Sequence, residues 1–76
     1  MAYNGNTTAL KAKASRALHI AARGTIEQIE ALENDAGAAL SSVMDELWGE
    51  AEHAGEYGLA RKLERAYNRL TGREEG

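Results

Sequence analysis

The sequence predicts an all-α protein, and three observations carry that expectation. Proline is absent, and Ala, Glu, Leu and Arg dominate the composition; alanine and these straight-chain residues lose little rotamer freedom in a helix. The few β-branched residues never alternate with polar ones over the length of a strand. Apolar residues recur instead at helical spacing along nearly the whole chain.

Residues 1–6, "MAYNGN", read as a flexible tail. Thr7 or Thr8 then suits the N-cap of a first helix, about 8–23, with Gly24 supplying a left-handed residue after its last turn. Leu10, Ala14, Ala17, Leu18 and Ala21 fall on one face of it. That face is mostly alanine, so a partner helix can approach closely while little apolar area is buried.

Thr25 opens the second helix. "TIEQ" matches a capping box, with the Thr25 hydroxyl and the Gln28 side chain satisfying each other's backbone donors. From Ile26 through Ile29, Leu32, Ala36, Leu40, Val43, Leu47, Ala51 and Ala54 the apolar stripe keeps its phase. Gly37 and Gly49 both fall outside it. The expectation is one long central helix over 25–54, with a kink near "NDAG" as the alternative, since an interior glycine costs about 1 kcal/mol relative to alanine.

The segment "AGEYG" at 54–58 ends the central helix, and a third helix, about 57–71, places Leu59, Leu63, Ala66 and Leu70 on one face beside Tyr67. Arg61, Arg65 and Arg69 form a stripe one turn apart on the other side. Gly72 closes the element, and residues 73–76 read as a second tail, which leaves 7–72 as a single helical domain. The corner "AGEYGLA" resembles the turn inside a tetratricopeptide repeat, where Gly, Tyr and Ala sit at similar offsets. One such unit cannot make a repeat protein, because stacking needs neighbours. The likeness implies a helical hairpin at 54–58.

A chain of 76 residues is near the size at which a single core barely suffices. A 30-residue helix would span roughly 45 Å, about twice the length of either neighbour. Its apolar stripe from Leu32 to Leu47 would then seek a second copy, so the expected assembly is a homodimeric helical bundle.

The net charge of −3 conceals a segregation into blocks. Residues 1–26 carry Lys11, Lys13, Arg16 and Arg23 and no acid. Residues 27–56 carry nine carboxylates and no Lys or Arg; residues 57–76 carry five cations and three acids. Packing of the basic helices against the acidic one accounts for part of this pattern. Surface ion pairs are worth only about 0–1 kcal/mol each, so stability alone explains it poorly. No run of eighteen apolar residues could span a membrane, the N-terminal stretch lacks a continuous apolar core of the kind a secretory signal needs, and cysteine is absent. A cytoplasmic location is expected.

Residues 45–53, "DELWGEAEH", allow three readings. Glu50 and His53 form the E-x-x-H pair that dimeric helical metal proteins use to project a carboxylate and an imidazole one turn apart. Such sites need glutamates from facing helices as well; the first helix has none and the third only Glu64, so no metal and no cofactor is expected. Without cysteine, a nucleophile elbow or a phosphate-binding loop, no enzyme is expected either. Nucleic-acid binding through the cationic stripes of the first and third helices is the alternative. Against it, "ALHIAARGTIEQIEAL" has a helix–Gly–helix cadence, but its second helix would carry Glu27, Glu30 and Glu33 toward the phosphates. The favoured reading is a non-enzymatic module that binds and inhibits a protein with a basic surface. Trp48 and Met44 would serve as apolar anchors, and Asp45, Glu46 and Glu52 as steering charges. Arg61, Arg65 and Arg69 form a secondary candidate surface. An origin in a phage or mobile element, as an inhibitor of a host complex, fits such a protein by analogy.

Overall fold

The computed structural model describes residues 7–72, and they form four helices: α1 (Thr7–Arg23), α2 (Ile26–Ala36), α3 (Leu40–His53) and α4 (Tyr57–Leu70). The two expected tails, 1–6 and 73–76, lie outside the described residues. No described helix is long and apolar enough to cross a membrane. The all-α expectation holds, but the count of three does not, because the anticipated central helix is two.

The break falls in "NDAG". Gly37 sits in the left-handed region (φ 70°, ψ 26°) and donates its N–H to Glu33 O at 2.8 Å, which closes α2. Ala38 and Ala39 are non-helical, and α3 begins at Leu40. Ala39 has no side chain able to cap the new helix. Glu33 does so from a distance: its Oε2 accepts the Leu40 N–H at 2.8 Å. One residue thus ends α2 through its carbonyl and starts α3 through its carboxylate, where a negative charge also meets the positive end of the helix dipole. The described residues extend only 36 × 29 × 18 Å, shorter than the continuous helix would have been. Hydrophobic periodicity counts residues at fixed increments, and a single left-handed residue redirects the chain without disturbing the count.

The capping box at Thr25 forms as expected, with Gln28 N donating to Thr25 Oγ1 at 3.1 Å and Thr25 N to Gln28 Oε1 at 3.0 Å. Gly24 plays a different part from the one its position suggested. It is not among the positive-φ glycines; a Cβ there would lie 2.6 Å from Ile20 O and 2.9 Å from Ile20 Cγ2. Glycine is required at that corner for close approach to a buried Ile20.

α1, α3 and α4 build the core. Leu10, Ala14 and Ala17 of α1 meet Leu40, Val43, Met44, Leu47 and Ala51 of α3 and Ala60, Leu63 and Ala66 of α4. The α3–α4 hairpin is the most extensive pairing. It turns through Gly55 (φ 79°), with Glu56 N donating to Ala51 O and Gly55 N to Glu52 O, a Schellman closure. This is the hairpin that the tetratricopeptide-like corner implied. α2 is the outlier: none of its residues is buried. Ile29 and Leu32 are half-buried against the core, and Ile26 is 74 % exposed. Once the helix breaks, Ile26 is at the far end of a short arm and no longer shares the stripe that α3 buries.

Candidate recognition surface

α3 positions the residues of "DELWGEAEH". Successive helical residues are rotated by about 100°, so burial of Leu40, Val43, Leu47 and Ala51 on one side turns Gly49 outward. Trp48 then stands on the flank toward α4 and Glu50 on the flank toward α2. Asp45, Glu46, Glu52 and His53 are exposed between them. Asp45, Glu46, Gly49, Glu50 and His53 line one shallow groove on this outer face. A Cβ built on Gly49 meets nothing within 4 Å.

Met44 is fully buried. It therefore cannot present a surface anchor, and its role is to fill the seam between α3 and its neighbours. The buried face of α3 is wider than the single stripe of 3.6-residue repeats suggested, because both α1 and α4 pack against it and the α4 seam is the more extensive. Trp48 is half-buried and packs on the core. Its ring centroid lies 6.0 Å from that of Tyr67 at a tilt of 49°, and its Nε1–H donates to Glu52 Oε2 at 3.1 Å. The structure thus pairs Trp48 with Glu52, and gathers Asp45 and Glu46 farther round the same helix.

The charge blocks stay largely separate. Lys11 Nζ to Glu56 Oε2, at 3.6 Å between partly exposed side chains, is the ion pair joining α1 to the acidic block. Asp45 and Glu46 have no cation within ion-pair distance, and neither do Glu27, Glu30 and Asp35 on α2. Among the described residues, the expectation that the basic helices neutralise the acidic segment is met at the Lys11–Glu56 pair. Lys13 and Arg16 stand opposite Asp35 across a groove between α1 and α2, without pairing to it. The arginine stripe of α4 divides between two grooves, with Arg61 beside Trp48 and Glu52, and Arg65 and Arg69 beside Leu18 and Ala21 of α1.

A second concavity was not legible in the sequence, because it depends on the break at Gly37. Between α1, α2 and α3 lies a cleft of about 290 Å³, with Ala17, Leu32, Val43 and Leu47 at its floor and Lys13, Asp35, Glu46 and Glu50 at its rim. Its volume is at the lower end of the roughly 300–1,000 Å³ of small-molecule sites. Among the described residues no group of three or more His, Asp or Glu side chains is placed to hold a metal ion, the Glu50–His53 pair included. No described polar or charged residue is buried, so the core offers no sequestered acid, base or nucleophile.

Comparison with protein families, with curated proteins and with solved structures finds no match.

Proposed function

We propose that this is a non-enzymatic, cytoplasmic binding module that docks the acidic outer face of α3 on the basic surface of another protein and inhibits it by occupying that surface. The observation that carries this reading is the uncompensated charge. The fold places Asp45 and Glu46 on an open face with no cation within ion-pair distance, while α2 adds Glu27, Glu30 and Asp35, also unpaired and exposed. A field of one sign raises the encounter rate with a partner of the other sign and falls with ionic strength. Immobilised protein and a variant with Asp45→Lys and Glu46→Lys, incubated with a lysate of the native host at low and high salt, test it. Basic proteins retained by the unaltered chain at low salt, and lost both in the variant and at high salt, are the expected result. Identical capture by the two proteins would refute it.

A homodimer is a second reading, favoured by the packing of α2. That helix buries no residue fully and exposes Ile26. The cleft beside it has a cationic wall from α1 and an anionic wall from α3. Under two-fold symmetry each wall of one copy can face the opposite wall of the other, as an isologous interface requires. Light scattering should return twice 8.2 kDa at micromolar concentration; a mass of 8.2 kDa excludes the dimer.

A further inference from the structure

We infer that the groove at the α3–α4 seam, formed by Trp48, Glu52, Tyr57, Ala60, Arg61 and Glu64, receives an arginine side chain of the basic partner. The inference deepens the reading above and rests on it for the source of the arginine. The groove encloses about 140 Å³, well below the roughly 300 Å³ at which small-molecule sites begin. That is a space for the tip of one side chain. Ala60 is buried and small, which leaves the floor low. Trp48 and Tyr57 supply two aromatic walls, and Glu52 and Glu64 supply two carboxylates.

The Trp48 wall is held in advance. Tyr67 backs the Trp48 indole at 6.0 Å between centroids, and the Nε1–H bond to Glu52 Oε2 ties the indole to one of the carboxylates. That bond engages one Glu52 oxygen and leaves the other for an incoming donor. A side chain already fixed by its neighbours loses little freedom on binding. Tyr57 is 69 % exposed at the start of α4, an aromatic ring that the fold itself does not use. Neither Glu52 nor Glu64 has a cation within ion-pair distance.

This combination selects among cations. A guanidinium is planar and weakly hydrated, stacks on aromatic faces, and donates N–H bonds to carboxylates. An ammonium is compact and strongly hydrated, so it gains less from the rings. A quaternary ammonium suits aromatic faces but has no proton for Glu52 or Glu64. Arg61 is the cation the groove already borders, yet it pairs with neither carboxylate. With two carboxylates against one guanidinium the groove remains attractive to a further cation, and Arg61 opposes it.

Trp48 is the sole tryptophan, so its fluorescence reports on the groove directly. The protein is titrated at constant ionic strength with Nα-acetyl-argininamide, its neutral isostere Nα-acetyl-citrullinamide, Nα-acetyl-lysinamide and tetramethylammonium. The arginine derivative should saturate the signal with a dissociation constant on the order of 10 mM, the lysine derivative should bind more weakly, and the citrulline derivative should show no saturation. Tyr57→Ala and Glu64→Gln should each weaken arginine binding about threefold, with Tyr57→Phe restoring it and Arg61→Ala tightening it. Circular dichroism should show all four variants folded. Equal responses to arginine and citrulline, or an arginine response unchanged in Tyr57→Ala, would overturn the assignment. Tetramethylammonium binding tightest would overturn it too, in favour of a free quaternary ammonium ligand. Failure here leaves salt-dependent capture through Asp45 and Glu46 intact, because those carboxylates lie outside the groove.

Discussion

Replacing Gly37 and Gly49 by alanine, one at a time, should shift stability in opposite directions. Both glycines belong to the segment that helical periodicity reads as continuous, and a Cβ at either meets nothing within 4 Å. Clash with packed neighbours therefore plays no part, and the local backbone conformation decides the sign. Gly49 is inside α3 with ordinary helical geometry, where alanine is better than glycine by about 1 kcal/mol. Gly37 has φ 70°, and an L-residue in that region costs roughly 1–2 kcal/mol. Reduced freedom of the unfolded chain returns about 0.4–1 kcal/mol of this, so Gly37→Ala should destabilise by about 1 kcal/mol. For a domain of this size each kcal/mol moves the melting temperature by about 4–8 °C, and the two variants should melt about 8–16 °C apart. Thermal unfolding followed by far-UV circular dichroism, with both variants in one buffer and at one concentration, measures the difference. If Gly37→Ala raised the melting temperature, α2 and α3 would be one helix after all. If Gly49→Ala lowered it, that residue would not face open solvent.

Substitutions at three other positions probe separate links in the fold. Met44→Ala should cost about 2–5 kcal/mol, a large part of the roughly 4–11 kcal/mol expected for a chain of this length, whereas Met44→Leu should stay within about 1.5 kcal/mol; a neutral Met44→Ala in a urea titration would place the side chain at the surface. Glu33→Ala removes the Leu40 cap and should cost about 1 kcal/mol, read as an earlier denaturation midpoint, and an unchanged midpoint would show that solvent serves the α3 N-terminus equally well. Trp48→Ala should cost about 2 kcal/mol, since the indole is only half-buried, and should leave a folded protein; loss of the helical signal at room temperature would mean the indole carries the core.

Composition and spacing were enough for the helical class, for the capping box at Thr25, for the hairpin near Gly55 and for most of the core. These are local matters: a cap depends on residues three apart, and a buried stripe depends on which side chains recur each turn. Leu10, Ala14, Leu47 and Leu63 announce themselves by that recurrence alone. The segregation of charge was legible as well, because it needs only counting. Tertiary structure decided what local pattern cannot report. A glycine allows both a helical and a left-handed backbone, and Gly37 turns left because α2 folds back over α1 and α3 while Glu33 caps the helix that follows. The same fold-back left Ile26 exposed and opened the cleft above Val43 and Leu47. Met44 and Trp48, one turn apart, look alike on a helical projection. Packing of α1 and α4 on α3 closed over the first and left the second half open, since burial depends on how many neighbours surround a position, and a single helix does not specify its neighbours.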